Sequence, residues 1–189
     1  ERGAAVAVNY RERASEAEAV VAKIKSGGGR AVAVAADVSQ SADVAGLIEQ
    51  VARELGPIDI LVNNAGIAIV LGVDDLTEAD FDQTLLVNLK SAFLCTQAAL
   101  PKMIERGSGR VVNIASVAAR FGARYIAAYA ASKHAVLGFT RCVAAEVAAF
   151  GVTANAVCPG FVDTEMVSES VSRIVAKTGM TSEQALDTI

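Results

Sequence analysis

The chain has 189 residues, of which 53% are hydrophobic and 20% are charged, so it is too apolar to be disordered and has the length of one domain. Its 17 Lys and Arg residues against 21 Asp and Glu residues give a net charge of −4. This balance argues against a nucleic-acid-binding protein, which needs a basic face to displace counterions.

The cysteine and histidine content argues against structural cross-links and metal sites. The three cysteines, Cys95, Cys142 and Cys158, are odd in number and widely spaced, which indicates a reducing, cytoplasmic compartment rather than a disulfide framework. The single histidine, His134, cannot form a histidine-rich metal site, and no cysteine pair has zinc-site spacing. No apolar run approaches the roughly 20 residues that span a bilayer, so we expect no membrane association.

Short apolar runs alternate with longer amphipathic patterns along the chain. The short runs predict strands at residues 4–9, 31–36, 58–62, 110–115 and 152–158. The longer patterns predict helices at residues 15–26, 41–55, 77–106 in two pieces, 125–150 and 167–189. A strand–helix–strand repeat requires right-handed crossovers, and nearly all-apolar strands are typical of burial on both faces. The sequence therefore predicts one α/β domain over residues 1–189 with a doubly wound parallel sheet.

Two of the predicted helices carry apolar residues on more than one face. They cover residues 85–103 and 127–147. A helix with two apolar faces needs two packing partners, of which the sheet is one. The pattern leaves open whether the second partner is a larger core or another subunit.

Polar or glycine-containing segments follow every predicted strand. In an open parallel sheet, ligands bind beyond the carboxyl ends of the strands. Turn chemistry alone accounts for any one of these segments, but their recurrence at one edge indicates a cleft. The segments are Tyr10 and Arg11, Asp37, Asn63 to Gly66, Ser116, and Pro159 with Gly160.

Tyr129 and Lys133 are four residues apart in a predicted helix, so they lie on the same helical face. Ser116 lies 13 residues before Tyr129, at the end of a predicted strand. A lysine cation about 4 Å from a phenol favours the phenolate by about 4 kcal/mol at an effective dielectric constant near 20. That attraction brings a phenol with an ordinary pKa of about 10 towards neutral pH, where it can act as an acid and base.

The order and spacing of five motifs resemble those of the short-chain dehydrogenase/reductase family, from residue 1 to about residue 166. The motifs are Asn63-Asn64-Ala65-Gly66, Val87-Asn88-Leu89, Ser116 after a strand, Tyr129-x-x-x-Lys133, and Pro159-Gly160-x-x-x-Thr164. The resemblance implies a Rossmann-type fold and an NAD(P)-dependent oxidoreductase that interconverts a secondary alcohol and a ketone. It also implies a homo-oligomer, a tetramer or a dimer, paired through the two-faced helices.

The resemblance also implies a role for each matching residue. Tyr129 resembles the catalytic acid/base, and Lys133 the residue that lowers its pKa and binds the nicotinamide ribose. Ser116 resembles the substrate-orienting hydroxyl, and Asn88 the helix-kinking residue that holds a proton-relay water. The implied cofactor contacts are Asp37 and Val38 at the adenine, Asn64, Ala65 and Gly66 along the cofactor, and Pro159, Gly160, Val162 and Thr164 at the nicotinamide end.

The residues after the first strand bear on the choice of cofactor. NAD-binding proteins usually have an acidic residue there, which binds the ribose 2′-hydroxyl. Tyr10 stands at that position here, and Arg11 is placed to pair with a 2′-phosphate. The alternative interpretation of Arg11 is an ordinary solvent-exposed arginine in a loop, which is common in proteins. We favour NADP(H), with NAD(H) as the alternative.

The chain departs from the family pattern at both ends. The family's first strand with its glycine-rich phosphate loop, and its last strand, have no counterpart in the chain, so we expect the chain to be truncated at both ends relative to a longer, full-length protein. We therefore expect the isolated chain to bind dinucleotides poorly. Residues 163–189 match the variable region that covers the substrate, which predicts a lid.

The sequence does not select one substrate among 3-oxoacyl thioesters, cyclic alcohols and sugars. Two other functions stay open. One is an isomerase or lyase of the same superfamily that retains its cofactor, and the other is a non-catalytic assembly subunit. The joint presence of Asn88, Ser116, Tyr129 and Lys133 favours the oxidoreductase.

Overall fold

Five strands alternate with seven helices in the computed structural model, which describes residues 3–160, 162 and 165–186. The strands are β1 (Val6–Tyr10), β2 (Ala31–Ala35), β3 (Ile60–Asn63), β4 (Gly109–Ile114) and β5 (Val152–Val157). The helices are α1 (Ala14–Ser26), α2 (Ser41–Leu55), α3 (Glu78–Leu85), α4 (Ser91–Glu105), α5 (Ala127–Val147), α6 (Glu165–Thr178) and α7 (Ser182–Leu186).

All the strand pairs are parallel, which confirms the predicted α/β class. β1 pairs with β2, and β4 lies between β3 and β5. The strands form a two-stranded and a three-stranded sheet, and within the described residues no strand bridges β1 and β3. Helix α2 connects the two sheets, because Val44, Leu47 and Val51 on its apolar face pack into clusters that include residues of β2 and β3.

The three-stranded sheet is buried on one face only. Helices α4 and α5 cover that face, and their side chains form a core with alternate residues of β4 and β5. That core contains Ala99, Met103, Val111, Val143, Val147, Val152 and Ala154. On the other face Ile60 is 60% exposed and Val62 is 53% exposed. This differs from the expectation of strands buried on both sides, because no described helix packs over that second face.

The apolar spacing predicted α2 with the bounds that the structure shows, and Gly56 ends the helix with φ at 99°, a value that side chains disfavour. The predicted long helix at residues 77–106 is divided, as expected. Helix α3 begins with a capping box, in which Thr77 accepts a hydrogen bond from the Asp80 amide and the Asp80 carboxylate accepts one from the Thr77 amide. A π-helical segment, Leu86–Lys90, then joins α3 to α4.

Helices α6 and α7 pack on the loops that follow β3 and β4 and on the start of α5. They contribute Ile174 and Ala185 to an apolar cluster that also contains Val70, Ala118 and Ile126. An ion pair between Lys177 of α6 and Asp75 links the same regions. In the described part of the chain, no helix combines the length and apolarity that a membrane crossing requires.

Candidate active site

The loops after β3, β4 and β5 meet at the carboxyl edge of the three-stranded sheet. The amide of Val117, in the loop after β4, donates to the carbonyl oxygen of Pro159, after β5, at 2.9 Å. The amide of Ala115 donates to the carbonyl oxygen of Val157 at 2.8 Å. These bonds extend the β4–β5 pairing beyond the strands and bring Ser116 beside the loop that contains Pro159.

Lys133 connects α5 to the end of β4. It lies one helical turn after Tyr129, and its Nζ atom is 5.6 Å from the centroid of the half-buried Tyr129 ring. The same Nζ donates a hydrogen bond of 2.8 Å to the carbonyl oxygen of Ile114, the last residue of β4. This bond fixes the ammonium group between the phenol ring and the strand that leads to Ser116.

The Lys133 ammonium group is buried without an opposite charge. Only 4% of the residue is exposed, and no carboxylate pairs with it among the residues described. Burial lowers the pKa of Lys133 from 10.5 to about 8, and the nearby Cys158 thiol opposes this effect in part. An ammonium group carries three N–H donors, and the one hydrogen bond to Ile114 uses one of them. Lys133 therefore offers further donors to a polar ligand.

Ser116 is half-buried at the start of a short 3₁₀ turn, Val117–Ala119. Its hydroxyl oxygen accepts a hydrogen bond of 3.1 Å from the Ala118 amide, which fixes the position of the side chain. In the described part of the chain no hydrogen bond joins the Ser116 and Tyr129 hydroxyl groups. Ser116 follows Ile114, the acceptor of the Lys133 hydrogen bond, by two residues along the chain.

Asn88 is buried in the π-helical segment and clamps the loop after β3. Its Oδ1 accepts a hydrogen bond of 2.7 Å from the Ile67 amide, and its Nδ2 donates to the Ile67 carbonyl oxygen at 2.9 Å. A Cβ atom at the neighbouring Gly66 would lie 3.3 Å from Asn88 Oδ1 and 3.5 Å from Lys133 Nζ. The interruption of the helix therefore coincides with the predicted kinking residue, and Gly66 leaves the space beside Lys133 open.

Ser132 is a buried polar residue at this site that the sequence interpretation missed. Its Oγ accepts a hydrogen bond of 2.9 Å from Asn88 Nδ2 and donates one of 2.7 Å to the Tyr129 carbonyl oxygen. It has no exposed surface. The sequence shows Ser132 between two alanines and Lys133, in a helical segment rich in small residues. Nothing in its spacing indicated a hydrogen bond to Asn88.

A second group of predicted residues lies where β1 and β2 end. The Asp37 carboxylate accepts hydrogen bonds from the amide and hydroxyl of Ser39 at 2.9 and 2.7 Å. These bonds hold the pKa of Asp37 below its usual range, and the Arg11 guanidinium lowers it further. Val38 packs into the clusters around α2.

Arg11 is exposed and already has a partner within the chain. Its guanidinium pairs with the Glu12 carboxylate at 2.7 Å. Tyr10 is half-buried at the end of β1, where its carbonyl oxygen accepts a hydrogen bond of 2.9 Å from the Ala36 amide. A phosphate that bound Arg11 would therefore compete with Glu12 for the guanidinium.

The remaining predicted contacts follow β3 and β5 along the chain and have little burial. Asn64, Ala65, Gly160 and Val162 are exposed, and Pro159 is half-buried. Thr164 lies outside the described residues. The structure thus brings Gly66, Asn88, Tyr129 and Lys133 into one cluster, with Ser116 two residues beyond the Lys133 anchor on β4.

The histidine and the cysteines do not form a metal site in the part of the chain that the structure describes. The His134 ring nitrogen Nδ1 is hydrogen-bonded to the Ala130 carbonyl oxygen at 2.9 Å. Among the described residues, no group of three or more histidine, cysteine or acidic side chains could hold a metal ion. Cys95 and Cys142 lie on α4 and α5, and all three cysteines are unpaired thiols.

Comparison with known proteins places this geometry in a family. The family model for short chain dehydrogenases matches residues 1–174. A 3-oxoacyl-acyl-carrier-protein reductase of Synechocystis sp. is 43% identical over 164 residues, which are 87% of this chain and 66% of that protein. A D-beta-hydroxybutyrate dehydrogenase of Cupriavidus necator is 39% identical over 187 residues, 97% of this chain and 71% of that protein.

A solved structure shares the fold as well. The gluconate 5-dehydrogenase of Burkholderia cenocepacia, in complex with NADP and tartrate, superposes with a TM-score of 0.83 at 36% identity. The match covers 89% of this chain and 66% of that one, and the chain spans about two thirds of the length of its relatives. The family match over residues 1–174 and the 39% identity to a relative of which this chain covers 71% show that the chain belongs to the short chain dehydrogenase family.

Proposed function

We propose that the protein is an NADP(H)-dependent oxidoreductase that interconverts a secondary alcohol and a ketone. The observation that carries this proposal is the placement of the buried Lys133 ammonium, 5.6 Å from the Tyr129 ring and hydrogen-bonded to the end of β4. A buried cation beside a half-buried phenol at a sheet edge is suited to proton transfer.

The residues present fit the nicotinamide ribose of a dinucleotide. Lys133 keeps spare N–H donors in a buried position, and a ribose hydroxyl is a suitable acceptor for them. Gly66 keeps the space beside Lys133 Nζ and Asn88 Oδ1 open, because any side chain there would begin within 3.5 Å of both atoms. Asn64 and Ala65, after β3, and Pro159, after β5, are proposed to contact the cofactor along the same edge. When bound, the dinucleotide would supply or accept the hydride.

The chain's own residues manage the proton and the orientation of the substrate. In the reducing direction, Tyr129 donates its hydroxyl proton to the substrate carbonyl oxygen as the carbonyl carbon gains a hydride. The negative charge that develops on the Tyr129 oxygen is stabilised by the buried Lys133 ammonium, since attraction between charges is strong where water is excluded. Ser116 donates a hydrogen bond to the same substrate oxygen from its fixed position on the 3₁₀ turn.

NADP(H) is favoured over NAD(H) because of the residues that follow β1. Tyr10 stands where an acidic residue would bind the 2′-hydroxyl, and the Arg11 guanidinium is exposed and can pair with a 2′-phosphate. The structure of the related gluconate 5-dehydrogenase, which is a complex with NADP, supports the same choice of cofactor. Asp37 and Val38, near Arg11, are proposed to contact the adenine.

The substrate class is a small carbonyl or hydroxyl compound. The names of the relatives give 3-oxoacyl thioesters, D-beta-hydroxybutyrate and gluconate as their substrates. Each of these compounds carries a secondary alcohol or the corresponding ketone. Its carbon chain also carries a carboxyl-derived group or further hydroxyl groups. Residues 163–189 are proposed to form the substrate lid, because α6 and α7 contribute to the apolar cluster against which Tyr129 packs.

We propose a homo-oligomer paired through α3, α4 and α5. A groove of about 610 Å³ lies between these elements and is lined mainly by apolar side chains, among them Leu85, Leu89, Phe93 and Phe139. Phe93 is 41% exposed although its ring stacks edge-on against Phe139, with ring centroids 6.3 Å apart. A second copy of the chain would cover these rings, as expected for helices with two apolar faces.

A screen of the full-length protein tests the proposed function. The screen measures the change in NADPH or NADH absorbance with acyl thioesters, hydroxy acids, sugar acids and cyclic alcohols. The proposal predicts one mole of oxidised or reduced cofactor released per mole of product. Turnover without net cofactor oxidation would instead show an isomerase or lyase that retains its cofactor, and binding without turnover of any substrate would show a non-catalytic subunit.

A further inference from the structure

We propose that Ser132 is a positioning residue that holds the Tyr129–Lys133 turn in register with the loop after β3, through Asn88. The inference rests on the proposed function and adds a residue to it. We do not propose a contact between Ser132 and the substrate. It acts through the side chain and backbone atoms to which it is hydrogen-bonded.

The Ser132 hydroxyl occupies the centre of a fixed chain of hydrogen bonds. Because its proton is donated to the Tyr129 carbonyl oxygen at 2.7 Å, its lone pair faces Asn88 Nδ2 at 2.9 Å. The other Asn88 contacts go to the amide and carbonyl of Ile67. Each group in the chain therefore has one orientation that satisfies all its partners.

This chain of bonds joins three separate segments at the site. Ile67 follows Gly66 in the loop after β3, Asn88 lies in the π-helical segment, and Ser132 lies in α5 between Tyr129 and Lys133. Ser132 is 0% exposed and Asn88 is 2% exposed, so water cannot replace a lost bond. Removal of the Ser132 hydroxyl leaves one buried Asn88 N–H without an acceptor.

The expected response to that loss is a rotation of Asn88 towards another acceptor. Gly66 lies between Asn88 Oδ1 and Lys133 Nζ, so a displaced amide changes the space on which the ammonium group borders. The Tyr129 carbonyl also loses its side-chain donor, although Lys133 keeps its bond to Ile114. Displacements of about 1 Å at such a site reduce turnover by about 100-fold without abolishing binding.

Ser91 supplies a matched control. It is also a buried helical serine, 3% exposed, and it lies directly after the π-helical segment. Its hydroxyl donates to the Val87 carbonyl oxygen in the π-helical segment and not to Asn88. Ser91→Ala therefore removes a buried hydroxyl of similar exposure, and a bond to the same segment, without removing a bond of Asn88 or Tyr129.

The test compares Ser132→Ala, Ser132→Cys, Ser132→Thr and Ser91→Ala in the full-length protein. For each we would measure kcat and KM and the exchange rate of the Ile67 amide proton, which reports the position of Asn88. Ser132→Ala and Ser132→Cys are expected to lower kcat about 10- to 100-fold with KM changed less than about threefold. Both are expected to accelerate Ile67 exchange about tenfold, and Ser132→Thr is expected to restore both quantities towards wild type.

Each outcome decides the inference. Unchanged Ile67 exchange in both Ser132→Ala and Ser132→Cys would overturn it, as would a kcat loss equal to that of Ser91→Ala. Because Ser132→Cys leaves no cavity at this buried position, it keeps the test decisive if Ser132→Ala does not fold. Faster Ile67 exchange in a protein whose wild type turns over no substrate would refute the proposed function and leave the positioning role intact.

Discussion

The Nζ atom of Lys133 lies 5.6 Å from the centre of the Tyr129 ring, and its hydrogen bond to the Ile114 carbonyl oxygen holds it there. A charged group in such a buried place has a measurable effect on folding stability. Burial disfavours the charged form of Lys133 and lowers its pKa to about 8.

Lys133→Met is expected to change how folding stability depends on pH. Below pH 8 Lys133 is protonated in the folded and unfolded states, so burial of its charge destabilises the fold. Between pH 8 and 10.5 the folded protein releases this proton first, and the free energy of unfolding rises with pH. The rise amounts to roughly 3 kcal/mol, and Lys133→Met lacks it. Urea denaturation at pH 7, 8, 9 and 10 measures the difference between the two proteins.

Two features of the chain serve as controls for this experiment. Burial raises the pKa of Cys95 to about 11, which lowers stability at high pH, but this contribution is common to both proteins and cancels in their difference. Lys102→Met removes an exposed lysine, whose side chain is 76% accessible, and is the control for the loss of a lysine that is not buried. A parallel course for wild type and Lys133→Met from pH 8 to 10 would contradict the prediction.

The sequence predicted the bounds of the helices and strands better than the contacts between them. Helix α2 was predicted with its observed bounds because its apolar spacing, Gly56 and Pro57 are all local signals. Helical periodicity predicted the interruption at Leu86–Lys90 only as a break in a long helix, and it was the family resemblance that pointed to Asn88 as the kinking residue. Its position depends on hydrogen bonds between Asn88 and Ile67, 21 residues apart, which no local pattern records.

Ser132 and Lys133 show a second limit of sequence interpretation. The pairing of Tyr129 with Lys133 followed from helical periodicity, but the lowered pKa of Lys133 depends on burial beneath other elements. The bond between Ser132 and Asn88 spans 44 residues. The exposed second face of β3 was not expected either, since an apolar strand sequence indicates burial without saying which helix provides it.

Arg11 and Glu12 are expected to set the cofactor preference in opposite directions. Arg11→Ala removes the proposed partner of the 2′-phosphate and is expected to lower kcat/KM for NADPH about tenfold relative to NADH. Glu12→Gln removes the carboxylate that pairs with Arg11 at 2.7 Å, and is expected to shift the preference further towards NADPH. Steady-state kinetics with both cofactors give the ratio. An unchanged ratio in Arg11→Ala would exclude Arg11 from cofactor selection.

Asn113 is expected to be a major determinant of stability in the three-stranded sheet. It is 0% exposed, accepts a hydrogen bond of 2.8 Å from Asn63 Nδ2 and donates one of 2.8 Å to Thr140 Oγ1. Asn113→Ala removes both of these bonds and leaves a cavity at a fully buried position, and it is expected to lower the free energy of unfolding by about 2–4 kcal/mol. Asn155→Ala, at an exposed position of β5, is the control, and it is expected to change the free energy of unfolding by less than about 0.5 kcal/mol. Equal losses in the two variants, measured by urea denaturation, would show that the buried network adds nothing.

The apolar groove predicts which surface holds the oligomer together. Phe93→Asp places a charge in the groove between α4 and α5 and is expected to convert the oligomer to smaller species. Phe150→Asp is the matched control, because Phe150 is 46% exposed and lies outside the groove. Light scattering coupled to size-exclusion chromatography gives the masses. A wild-type monomer, or an unchanged mass for Phe93→Asp, would refute pairing through this surface.

The turnover of Tyr129→Phe in the full-length protein tests the proposed proton transfer directly, because this change removes only the hydroxyl group that is proposed to carry the proton. With a substrate identified by the screen, kcat is expected to fall by about 100- to 10,000-fold. The dissociation constant for NADPH, measured by calorimetry, is expected to stay within a few-fold of wild type. Turnover within tenfold of wild type would contradict the central claim.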